Sequence, residues 1–103
     1  MLKLIVLYPQ PSDIEKFEKD YQAHLRLLHE KTGIPDNVKP YKVIKMLSTP
    51  KGVPHFYQMF SMPFNSPEEL QVAMSSQGMQ EVSTEAQRIS TGGSPIIMIG
   101  NED

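Results

Sequence analysis

Four short strands and two amphipathic helical stretches follow one another in the order β-α-β-β-α-β, and no feature of the sequence narrows its fold more. Leu2–Leu7 alternates Leu2, Leu4 and Val6 with Lys3, Ile5 and Leu7, which makes a strand with both faces largely apolar. Pro9 and Pro11 end it, because proline offers no N–H to a ladder. Ser12-Asp13-Ile14-Glu15 has the pattern of a capping box, with Ser12 as N-cap and Glu15 at the third helical position. It predicts a helix to about Lys31, stopped near Gly33 and Pro35. Tyr41–Leu47 and Phe56–Phe64 read as strands, joined as a hairpin through Pro50-Lys51-Gly52-Val53-Pro54. Ser66-Pro67-Glu68-Glu69 is a second capping box, with Pro at the first helical position. Its helix carries Leu70, Ala73 and Met74, is interrupted near Gly78, and resumes with Met79, Val82, Ala86 and Ile89 at spacings of three and four. Thr91-Gly92-Gly93-Ser94-Pro95 is a loop, and Ile96–Ile99 is the last strand.

This order is the split-βαβ pattern of an α+β, ferredoxin-like subunit with a four-stranded antiparallel sheet. At 103 residues the chain makes one domain, 1–103. Two helices cover only one face of such a sheet. Yet Phe56, Phe60, Met62 and Phe64 share one parity of the third strand, and Tyr57 and Met59 take the other. The uncovered face would be a large apolar patch, which a monomer rarely tolerates, so a homodimer through the sheet face is expected.

Composition removes several function classes. Ten Lys and Arg against twelve Asp and Glu give a net charge of −2, with no basic stripe for nucleic acid. The longest apolar runs, Leu4–Leu7 and Ile96–Ile99, are far short of a membrane span. With no cysteine there is no disulfide, zinc–thiolate site or thiol nucleophile. The N-terminus lacks the pattern of a signal peptide, which makes a cytoplasmic protein the expectation.

The sharpest residue is on the first helix. At 100° per residue from Phe17, Tyr21 falls at about 40°, His24 at about −20° and Leu28 at about 20°. His24 is thus centred on the buried stripe, while His29, at about 120°, belongs to the solvent side. An imidazole between helix and sheet is a candidate acid–base group. The alternative is a core histidine hydrogen-bonded to a backbone carbonyl. His24 and His29 are too far around the helix to ligate jointly, and His55 has no acidic companion, so no metal site is expected. Tyr8, Tyr21, Tyr41 and Tyr57 have hydroxyls suited to the rim of an apolar cavity, or to core and interface positions. Ser61 has no His–Asp company of the kind a serine nucleophile needs.

With these residues in view, the chain resembles the EthD family of dimeric α+β-barrel proteins. The resemblance runs from Lys3-Leu4-Ile5-Val6-Leu7-Tyr8-Pro9 through Phe17, Tyr21 and His24 to Phe56-Tyr57. It continues over Phe64-Asn65-Ser66, Leu70-Gln71, Ala73-Met74, Ser90-Thr91-Gly92-Gly93 and Ile99-Gly100. It implies a subunit that dimerises through its sheet, with a helix–sheet cleft for a small hydrophobic or aromatic molecule and no cofactor. His24 would be the acid–base residue, and Tyr8, Tyr21, Tyr57 and Phe60 the ligand-binding ones. Two positions depart from the family's common pattern. Arg26 stands two residues after the histidine, where Pro is frequent, and Ser61 stands where the third strand often has an acid.

Two functional readings follow. One is an EthD-like enzyme of small-molecule catabolism or secondary metabolism, related to the ethyl tert-butyl ether degradation proteins. The other is a non-catalytic ligand-binding or stress-associated dimer that uses the same cleft. A monooxygenase of the same barrel architecture suits the fold but not the inventory of residues, because cofactor-free members of that group commonly employ Asn and Trp near the substrate and this chain has no Trp.

Overall fold

The structure, a computed structural model, describes Met1–Asp103. Strands β1 (Leu2–Pro9), β2 (Lys42–Lys45), β3 (Phe56–Phe64) and β4 (Ile96–Asn101) form one antiparallel sheet in the order β2-β3-β1-β4. Three helices, α1 (Ile14–Thr32), α2 (Pro67–Ser75) and α3 (Gln77–Ile89), complete the ferredoxin-like α+β fold. No helix is long and apolar enough to cross a membrane.

Alternation along β1 decides which face is covered. Leu4, Val6 and Tyr8 are buried beneath the helices, whereas Ile5 and Leu7 on the other face are half-buried. Register carries the division across the sheet. Val6 faces Phe60 and Ile97, and Leu4 faces Met62 and Ile99, so these pairs share the helix side. On the open side Leu7 meets Met59 and Ile96, and Ile5 meets Ser61 and Met98. That face has no cover in a single subunit, and Ile44, Ile96 and Met98 stay more than two-fifths exposed.

The register slips between Tyr8 and Pro9, where Pro9 pairs with Phe56 and Tyr57 is the extra residue. A bulge turns its side chain out of the regular alternation. Tyr57 therefore packs edge-on against Phe17 of α1, with ring centroids 5.7 Å apart, instead of joining Met59 on the open face. The strict parity expected for β3 fails at this one residue.

Local signals place the helix ends. Asp13, rather than Ser12, caps α1, and its carboxylate accepts from the Lys16 N–H at 3.1 Å. Gly33 ends the helix in the left-handed region (φ 76°) and donates its N–H to the His29 carbonyl. Ser66 caps α2 as expected, accepting from the Glu69 N–H at 3.1 Å. The break between α2 and α3 falls at Ser76, not Gly78. The Ser76 hydroxyl accepts from the Met79 N–H at 3.2 Å and donates to the Ala73 carbonyl at 2.7 Å, so it ends one helix and starts the next. Gly78 lies inside α3 against α1, where an added Cβ would come within 2.4 Å of the Lys31 carbonyl oxygen. Its missing side chain is what lets the two helices approach.

Strand β2 is shorter than Tyr41–Leu47. Tyr41 instead turns inward, stacks on Phe60 at 5.3 Å and meets His29 Nε2 through its hydroxyl at 2.8 Å. His29 Nδ1 faces the carbonyls of Ile34 and Pro35 at 3.2 and 3.1 Å. Two acceptors place the proton on Nδ1, so Nε2 accepts from Tyr41. Far from being a solvent-side residue, His29 pegs the loop after α1 to the core.

Candidate functional site

Between the helices and the covered face of the sheet lies a cavity of about 50 Å³. Its floor is Leu4, Val6 and Tyr8 of β1, Phe60 of β3 and Ile97 of β4. From α1 come His24 and Leu28, one helical turn apart; Met74 comes from α2. Helix α3 adds Met79, Val82, Ser83 and Ala86, which follow i, i+3, i+4, i+7 spacing and therefore form one stripe. Ser83 is not singled out by the sequence reading; its signal is this stripe, in which it is the one polar member.

His24 is the polar feature of this apolar space. It is only 5% exposed, and its Nδ1 is buried with no hydrogen-bond partner. The backbone carbonyl that would make it an ordinary core histidine is absent. Burial pulls its pKa down to about 4, against a smaller upward pull from Glu85 on α3. At neutral pH the ring is therefore uncharged, with one N–H to donate and one lone pair to accept. Leaving a buried polar atom unpaired costs about 1–3 kcal/mol, which a partner in the cavity would recover.

Aromatic rings hold His24 in place. Tyr21, one turn earlier on α1, lies 5.6 Å from it between ring centroids and meets Tyr8 edge-on at 5.5 Å. Phe17 stacks on Tyr21 at 5.7 Å and touches Tyr8 at 5.4 Å. Tyr21 Oη and Gln58 Nε2 are also buried without a partner of hydrogen-bonding geometry. Burial drives the Tyr8 and Tyr21 phenols well above their ordinary value, so both stay protonated.

Of the residues expected at a site, His24, Tyr8 and Phe60 come together around the cavity. Tyr21 stands behind His24 and Tyr8 rather than in the lining. Tyr57 is brought to α1 by the bulge but ends away from the cavity, donating its hydroxyl to Glu18. That bond lifts its pKa to about 12. Burial pushes Glu18 up, yet hydrogen bonds from Lys45 at 2.8 Å and from Tyr57 outweigh it and hold the carboxyl below its ordinary value. Ser61, paired with Ile5 and Lys42, points to the open face. An acid there would lie across the sheet from His24 and could not orient it. Arg26 is exposed on the outer side of α1. No three side chains of metal-ligating type gather anywhere in the chain.

The comparisons with known proteins agree with this architecture. An ethyl tert-butyl ether degradation (EthD) family protein from Bacillus halodurans C-125 is 32% identical, with a TM-score of 0.83 over 100% of this chain and 99% of its own. An EthD-like protein from Ralstonia eutropha JMP134 is 22% identical, with a TM-score of 0.66 over 96% of this chain and 88% of its own. A dimeric ferredoxin-like protein of unknown function from Jannaschia sp. CCS1 shares the fold at 9% identity, with a TM-score of 0.71 over 98% of each chain. No family model and no curated protein matches the chain.

Proposed function

The chain belongs to the EthD family, and from that premise we propose that residues 1–103 act as one domain that binds a small hydrophobic or aromatic molecule in the cavity beside His24. The observation that carries this reading is the buried His24 ring, its Nδ1 unpaired, in a lining whose other members are apolar apart from Ser83 and the Tyr8 hydroxyl. A polar atom left unpaired in such a place is stabilised by a ligand that pairs with it. His24 is the candidate acid–base residue. Neutral at pH 7, it acts as a base or a hydrogen-bond donor, not as a proton source. Tyr8 and Phe60 give the ligand aromatic walls, and Tyr21 supports His24 from behind.

The working form is a homodimer closed through the open sheet face. Ile44, Ile96 and Met98 together with Ile5, Leu7 and Met59 form an apolar surface there, and such surfaces mark interfaces. The dimeric description of the Jannaschia relative supports the same arrangement.

A specific observation also favours the non-catalytic reading. A general base works best with a pKa near the operating pH, and His24 lies well below it, with no second acid or base of suitable pKa in the lining. One screen separates the two. Small aromatic and cyclic molecules are tested by thermal shift against wild type and His24→Gln, and each hit is then incubated with the protein and recovered. Conversion by wild type that His24→Gln loses supports catalysis; recovery unchanged supports binding alone. Hits indifferent to the substitution would remove His24 from the site.

A further inference from the structure

No lining residue of the His24 cavity carries a charge at neutral pH, and its hydrogen-bonding side chains are three neutral groups, His24 on α1, Ser83 on the facing helix α3 and the Tyr8 hydroxyl from β1. The charged groups nearby are already engaged. Glu85, which acts on His24 from α3, is paired with Arg88, and Glu18 is paired with Lys45. A carboxylate or ammonium entering this cavity would leave water without a counter-charge, at a cost of several kcal/mol. A neutral hydroxyl or carbonyl would lose only its water partners and regain one at His24.

Size narrows the class further. A cavity of about 150 Å³ is what takes up benzene, and the one here measures about 50 Å³. The difference falls to Met74 and Met79, which flank the Ser76 break. Their unbranched thioether chains re-orient at small cost, whereas the other walls are set by sheet and helix packing.

We propose that the cavity selects an uncharged molecule with one hydroxyl or carbonyl head on a hydrocarbon body no larger than a single ring, and rejects anions and cations of the same shape. The selection rests on reading this cavity as the ligand site. Three probes of one shape test both levels: benzyl alcohol, benzoate and benzylammonium, titrated at pH 7 into wild type, His24→Leu and Ala86→Val and followed by ligand-observed NMR. Benzyl alcohol should bind wild type at least about a hundredfold tighter than either ion, and each substitution should weaken it about tenfold or more. Either ion binding within about threefold of the alcohol overturns the charge selection while leaving the site reading intact. Alcohol binding untouched by both substitutions overturns the site, and so does the absence of binding by all three probes. The comparison among probes on wild type stands even where a variant fails to fold.

Discussion

The two faces of one sheet are built from the same kinds of side chain and meet opposite fates. On β1, Tyr8 is 1% exposed beneath α1, while Leu7 next to it is half-buried on a face with nothing over it. Hydrophobicity thus does not decide burial here. What decides it is the number of helices, which suffices for one layer only. The covered face is finished within the subunit over β1 and β3, but not at the cavity beside His24 nor along edge strand β4, where Ile97 and Ile99 stay 42% and 56% exposed. The open face has nothing over it within the subunit, and the proposed dimer would cover it. Substitutions on the covered face should therefore act on folding, and those on the open face on association.

The largest effect should come from Phe17→Ala. Phe17 is 1% exposed and touches Tyr8, Tyr21 and Tyr57 together. Removing such a ring costs about 3–5 kcal/mol. Urea unfolding should show this as a lower midpoint; a loss under about 1 kcal/mol would mean that the aromatic cluster is not the keystone of the covered face.

Next comes acid. His24 titrates near 4 when folded and near 6.5 when free, so between those values the unfolded chain binds the extra proton. Its stabilising contribution is complete above about pH 6.5 and disappears as pH falls to about 4, some 3 kcal/mol in all. Tyr8 from β1 and Tyr21 on α1 stay neutral throughout, and the Glu85 carboxyl from α3 is held below its ordinary value chiefly by Arg88. The window accordingly belongs to His24 among the groups around it. Stability measured at pH 7 and pH 4.5 should diverge in wild type and much less in His24→Leu. Equal slopes would show that the ring is hydrated in the folded protein.

Much of this division was legible in the residues. Alternation marks the strands and their two apolar faces, and the 3.6 period centres His24 on the buried stripe. Two things were not legible. Parity alone does not say which face the helices choose, because Leu4 and Ile5 are equally apolar. Nor does it reveal the bulge, which comes from pairing between distant segments and moves Tyr57 from one face to the other. The one-residue shift from Ser12 to Asp13 at the α1 cap has the same origin in kind. Either side chain can cap, and the Ser12 N–H is already taken by Thr91 Oγ1 at 3.1 Å, a contact from the far end of the chain.

The open face is sharpened by Met98→Glu. Met98 is 44% exposed on edge strand β4, so a charge there should leave the subunit folded. In a sheet-to-sheet dimer the same carboxylate would be buried against apolar residues. Dissociation should increase by at least about a hundredfold, some 3 kcal/mol, with an unchanged circular dichroism spectrum. Sedimentation velocity reads the mass directly. A dimer that survives the substitution would place the interface elsewhere and leave the apolar patch without its explanation.

The smallest effect tests the border between the faces. Tyr57 leaves the open face through the bulge, and its ring keeps the contact with Phe17 whether or not the hydroxyl is present. Tyr57→Phe removes only the hydrogen bond to Glu18, which is itself held by Lys45 at the surface. The expected loss is about 1 kcal/mol, read as a small drop in the urea midpoint. The Glu18 carboxyl should also move back toward its ordinary pKa, which NMR titration can follow. If instead Tyr57→Phe were as costly as Phe17→Ala, the hydroxyl rather than the ring would be holding β3 to α1. The bulge would then be a polar latch, not a device for adding one more ring to the covered face.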